Sequence, residues 1–129
     1  MILPNSGKMK MTSFGRIIYK PGDLLLVAFP FSSQAQTKVR PVVVLSTASY
    51  NRLASDVVVC GVTSNLDPTR FSIRIDQANL AIGFLKAPSK IKVDAIAAVE
   101  KTIIIKKIGR LDKDMMNKIK LHLRARFAL

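Results

Sequence analysis

The sequence is poor in the residues from which most small active sites are built. Among 129 residues there is one cysteine, Cys60, and one histidine, His122. A single cysteine excludes an internal disulfide framework and a multi-cysteine metal site. A single histidine excludes a His-pair zinc centre and leaves no credible Ser-His-Asp triad. There is no tryptophan. Acidic residues are scarce, 8 against 21 Lys and Arg. The four acids of the first 85 residues are scattered, so adjacent positions cannot assemble a two-carboxylate metal site, and the chemistry is expected to need no metal or cofactor. No apolar run approaches the ~20 residues of a membrane span. The longest, Leu24 to Phe31 and Pro41 to Leu45, are short and bounded by polar residues. The N-terminus, M-I-L-P-N-S-G-K-M-K-M, lacks the apolar stretch of about 7–15 residues that a signal peptide carries. These absences predict a cytoplasmic chain with no membrane partner. Neither a Gly-rich dinucleotide fingerprint nor a phosphate-binding G-x-x-x-x-G-K is found.

What is present is charge and short β-branched runs. The formal net charge is +13, which attracts polyanions. It is spread along the chain: 9 basic and 4 acidic residues in 1–85, then 12 basic and 4 acidic in 86–129. Hydrophobic residues make up 49%, and the length suits one globular domain. Residues 1–18, with Pro, Asn, Ser, Gly and scattered Lys, are expected to form a loosely ordered extension to a single domain over 19–129.

Leu24 to Phe29 reads as a buried strand, ended by Pro30. Ser32 to Val39 reads as a polar loop. Pro41 to Leu45 reads as a strand with the proline at its first residue, where the missing N–H costs nothing. Ser46 is a candidate cap for a short helix over Thr47 to Leu53. Asp56 to Thr63 reads as another buried strand, and Asn65 to Thr69 as a turn. Arg70 to Asp76 alternates, with Phe71, Ile73 and Ile75 on one face. Residues 77–81 suit a helical turn, and Gly83 to Lys86 a turn or short strand. Ile91 to Val99 and Thr102 to Ile105 complete the strands. Lys106, Lys107, Arg110 and Lys113 read as a solvated charge run. Leu111, Met115, Ile119, Leu123 and Phe127 recur every four residues, an amphipathic helix with Asp112 as its N-cap. The expected fold is mainly β: a small SH3-like barrel with short helices and a C-terminal α-helix.

Candidate site residues lie where strands end, since loop-borne sites gather there. Lys38-Val39-Arg40-Pro41 ends the polar loop, Val62-Thr63-Ser64-Asn65 ends a strand, and Lys86 to Lys92 is a basic Pro-Ser turn. An Arg and a Thr meeting at one rim suit a phosphate and a ribose hydroxyl. Cys60, inside a valine-rich strand, reads as a small buried hydrophobe.

In this order the segments resemble the PemK/MazF-like toxins. The resemblance rests on G-D-L-L-L-V-A-F-P-F, K-V-R-P-V-V-V-L-S, V-V-V-C-G-V-T-S and K-A-P-S-K-I-K-V-D-A-I-A-A-V-E-K-T-I-I-I-K-K-I-G-R-L, and covers residues 20–127. It implies a homodimeric, metal-independent endoribonuclease that cuts single-stranded RNA and is masked by an acidic antitoxin, reaching DNA only through that antitoxin. It places the catalytic roles on Arg40 and Thr63. Gln34, Lys38, Ser64, Arg70 and Lys90 are the accompanying candidates for RNA binding. Many members carry a G-x-E-Q-x-G loop before the R-P. Here that stretch is F-S-S-Q-A-Q-T-K-V, in which only Gln34 matches, and which is similar to the F-P-F-T/S subgroup. Two other readings are a non-catalytic basic SH3-like module that binds RNA, and a related barrel that poisons a topoisomerase.

Overall fold

The computed structural model describes residues 17–30 and 37–129. The expected extension over 1–18 therefore lies outside the described residues except for its last two positions, as do Phe31 to Gln36 of the expected loop. Seven strands form one antiparallel sheet in the order β4-β6-β3-β2-β1-β7-β5. They are β1 (Asp23–Pro30), β2 (Thr37–Val44), β3 (Asp56–Thr63), β4 (Ser72–Ile75), β5 (Leu80–Gly83), β6 (Ser89–Glu100) and β7 (Ile104–Leu111). Among the described residues there are two α-helices, α1 (Ala48–Leu53) and α2 (Lys113–Arg126), and two single 3-10 turns, Gln77–Asn79, where a helical turn was expected, and Lys101–Ile103. The architecture is the barrel-like β fold with a C-terminal helix that the sequence predicts, with β4 and β5 as the sheet's two ends.

The continuous apolar runs are explained by burial on both faces of the central strands. Leu24, Val43, Cys60 and Val62 turn to one face and join Ile91, Met115 and Ile119. Leu25, Val27, Val42, Val44, Val57 and Val59 turn to the other and pack with Tyr19 and Val99. Helix α2 covers the first face through Met115 and Ile119, both at most 2% exposed. Asp112 caps it as expected, its carboxylate accepting the Met115 N–H at 2.8 Å.

Four details depart from the sequence reading. Pro41 is the fifth residue of β2, opposite Leu26 of β1, and not its first. The strand tolerates it because β2 pairs with β3 only over Val42 to Val44, so Pro41 has a hydrogen-bonded neighbour strand on one side alone. Thr47, not Ser46, caps α1, accepting from Tyr50 N–H. Ser46 donates instead to Asn51 Oδ1 at 2.5 Å, and Asn51, 1% exposed, donates to the Tyr19 and Ser46 carbonyls. The 106–110 stretch is the body of β7, and of the expected charge run Lys106 and Lys113 are exposed while Lys107 and Arg110 are half-buried. Its Arg110 and Lys107 reach the fully buried carboxylate of Asp23 at 2.9 and 3.1 Å. Leu111 closes β7 and so precedes the helix whose stripe it was expected to begin.

This last arrangement explains two sequence segments at once. In G-D, Gly22 takes φ +90°, which turns the chain into β1 and aims Asp23 inward. In I-G-R-L, Arg110 answers Asp23 and Leu111 is core. Gly109 passes so close to β5 that an added Cβ would stand 2.7 Å from the Ile82 carbonyl oxygen.

Candidate nucleic-acid interface

The site is built at the end where β2 and β3 part. Their ladder holds Val42 opposite Gly61, Val43 opposite Cys60 and Val44 opposite Val59, and then stops. Pro41 is the next residue of β2. Continuing the same register two steps beyond the last pair brings Arg40 opposite Thr63. Each stays fixed from its far side: Arg40 pairs with Val27 of β1, and Thr63 with Lys90 of β6. The two candidate residues thus lie at the fraying end of the β2–β3 ladder, a seam where both line the same clefts.

Two clefts meet at this seam, and Arg40, Pro41, Val62 and Thr63 line both. One, of about 360 Å³, continues along the sheet face of Phe29, Val42, Gly61 and Lys92. The other, of about 590 Å³, continues along the opposite face, past Val39, Ser64, Leu85 and Lys86. The seam is therefore a wall between two recesses.

The electrostatics at the wall are one-sided. Arg40 is exposed and has no hydrogen bond or ion pair among the described residues. Neither cleft is lined by a carboxylate or an imidazole. Residues 31–36, F-S-S-Q-A-Q, carry no titratable side chain. Thr63 is half-buried, and its hydroxyl oxygen accepts the Asn65 N–H at 3.1 Å. With one lone pair engaged, the hydroxyl hydrogen is left to donate. A permanent cation and a hydroxyl donor side by side suit phosphate oxygens.

The other candidates are distributed unevenly. Ser64 lines the larger cleft. Lys38 is exposed on β2 opposite Phe29, on a strand where a loop was expected. Lys90 is not a rim residue: it is 6% exposed, and its ammonium donates to the Asp67 carbonyl of the 65–69 turn. Arg70 is exposed just before β4 and lines neither cleft. Gln34 lies outside the described residues. Sequence reasoning missed Phe29 and did not single out Lys92, both in the smaller cleft. Phe29 was legible only as part of an apolar run, because it half-packs on the core as well.

Cys60 takes no part. Burial pushes its thiol up to about 12, so it is neither a nucleophile nor a metal ligand near neutrality. Among the described residues no group of three or more His, Cys, Asp or Glu could hold a metal ion. No helix among them is long and apolar enough to cross a membrane.

Known proteins share this fold and much of this sequence. The chain is 27% identical over 114 residues to Endoribonuclease EndoA of Bacillus subtilis (strain 168), covering 88% of this chain and 97% of that one. A mycobacterial endoribonuclease solved in complex with its cognate antitoxin has the same fold, with a TM-score of 0.69 at 17% identity, over 88% of this chain and 97% of that one. A MazE-MazF structure from Deinococcus radiodurans also gives 0.69, at 21% identity, over 84% and 95% of the two chains. The family described as the PemK-like, MazF-like toxin of type II toxin–antitoxin systems matches residues 20–127, and the chain belongs to it.

Proposed function

We propose that this protein is the toxin of a type II toxin–antitoxin pair, an endoribonuclease that cuts single-stranded RNA at the β2–β3 seam. The observation that carries the reading is the juxtaposition of Arg40 and Thr63 across that seam, in a chain of net charge +13. Its similarity to a curated endoribonuclease over most of both chains supports it.

The chemistry follows from the groups present. The ribose 2′-oxygen attacks the adjacent phosphorus, and its proton passes to water or hydroxide. The bond to the 5′-oxygen breaks, and that oxygen gains a proton. The products are a 2′,3′-cyclic phosphate and a 5′-hydroxyl end. Negative charge builds on the non-bridging oxygens, where the Arg40 guanidinium opposes it and the Thr63 hydroxyl donates to it. Arg40 does not act as the base, since its pKa exceeds ~12. No step needs a metal. Lys92 in one cleft and Lys86 in the other hold the flanking phosphates, and Lys38, exposed on β2, adds to the positive field that draws the RNA. Gln34 belongs to the F-P-F-T/S form of the loop and contacts the RNA from there.

The masking partner is an acidic antitoxin, and DNA is reached only through it. The mycobacterial and Deinococcus relatives were solved with their antitoxins, which supports the same arrangement here. The working form is a cytoplasmic homodimer.

The test is incubation of the purified protein with a long single-stranded RNA in EDTA, with mapping of product ends. Cleavage leaving 5′-hydroxyl ends is expected. Intact RNA beside folded protein refutes the nuclease. Salt-sensitive binding without cleavage would then identify a binding module.

A further inference from the structure

The two clefts differ in what they offer, and the difference assigns them different tasks. Resting on the nuclease reading above, we propose that they receive the two bases flanking the cut phosphate, one down each face of the sheet, and that only the larger cleft reads base identity.

Both volumes, about 360 and 590 Å³, fall in the ~300–1,000 Å³ range of small-ligand pockets. The pleat separates them. Phe29, Arg40, Val42 and Gly61 point to one face, while Val39, Pro41, Val62 and Ser64 point to the other. A strand of RNA whose phosphate sits on the Arg40–Thr63 wall therefore places its two neighbouring bases on opposite sides, unstacked from each other. In-line attack by a 2′-oxygen requires the attacking and leaving oxygens on opposite sides of phosphorus, a geometry that stacked A-form RNA does not offer and that unstacking at the cut makes accessible.

The smaller cleft has an aromatic side chain, Phe29, in its wall. Apart from Arg40 and Thr63 at the wall, its polar side chain is Lys92, among Phe29, Val59, Ala95 and Ala97. Stacking on an aromatic ring tolerates every base, and an ammonium is a point charge without edge-reading geometry. The larger cleft has an apolar floor of Leu85 and Ile108, with Ser64 and the 86–89 turn at its rim. Ser89 Oγ is engaged with the Ala87 carbonyl at 3.0 Å. Ser64 is exposed and has no partner among the described residues, so its hydroxyl can both donate to and accept from a base edge.

The experiment digests a random-sequence single-stranded RNA with the wild-type protein, Phe29→Leu, Phe29→Tyr and Ser64→Ala, and sequences the ends. Phe29→Leu keeps an apolar side chain against the core, so the fold is retained, and a thermal melt verifies it. It is expected to slow cleavage about tenfold at every motif without altering the motif. Phe29→Tyr restores the rate. Ser64→Ala is expected to relax base preference at one position on one side of the cut. If both substitutions alter preference on the same flank, or neither alters rate or preference, the inference is overturned while wild-type cleavage keeps the nuclease reading standing. If wild-type protein leaves the RNA intact, the nuclease reading fails and this inference fails with it.

Discussion

Arg40 and Arg110 sit on strands that flank β1, yet their surroundings are opposite. Arg110 lies at the end of the sheet where β7, β1 and the Gly22 turn converge, and its Nε donates to the buried Asp23 carboxylate at 2.9 Å. Lys107 and the Lys20 N–H complete the set around that carboxylate. Arg40 lies where β2 and β3 separate, exposed and with no acid beside it. One cation closes an account of buried charge, and leaving either partner alone there is expensive. The other holds its charge open toward solvent on a scaffold fixed by the β1 ladder. Unsatisfied charge on a rigid element is what a phosphate site requires.

The comparison can be broken or sharpened at several points. The largest effect belongs to Arg40→Ala, expected to lower RNA cleavage ~10²–10³-fold in a timed digestion, as loss of one electrostatic donor does. Next is Asp23→Ala, which strands two cations and is expected to cost about 3 kcal/mol of stability by urea unfolding. At temperatures where it remains folded, that variant should still cut RNA. Thr63→Ala removes a donor to a charged oxygen and is expected to slow cleavage roughly 10–100-fold, with Thr63→Ser restoring most of the rate. With no carboxylate or imidazole at the clefts, cleavage should rise with pH between 6 and 8 without a maximum. A bell-shaped profile in that window would reveal a base supplied from elsewhere.

The smallest effect concerns Cys60. Its folded-state pKa is raised from 9.0 to about 12 by burial. Well below pH 9 the thiol is neutral in both states and subtracts nothing. As pH rises from 9 toward 12 the unfolded state ionises first, so stability falls over that window. A melt series on Cys60→Ala should show a shallower alkaline decline than wild type.

Much of the fold was legible because its signals are local. The valine run Asp56 to Thr63 marked β3 to the residue, and Asp112 marked the start of α2. What escaped depends on partners distant in the chain. Nothing near Pro41 says that the pairing of β2 with β3 will stop at Val42, so the proline was read as a strand start. Arg110 and Lys107 looked solvated because their carboxylate lies over 80 residues away. Lys90 looked like a rim residue, whereas its ammonium crosses to the Asp67 carbonyl. Arg40 and Thr63 were singled out by resemblance, but their opposition follows only from the register.

The central claim is tested most directly by measuring RNA cleavage and melting temperature together for Arg40→Ala and Arg110→Ala. The account predicts a crossed result. Arg40→Ala keeps the wild-type melting temperature and loses cleavage, while Arg110→Ala melts lower and, where folded, still cuts. Cleavage that survives Arg40→Ala, or a loss matched in both variants, would contradict it.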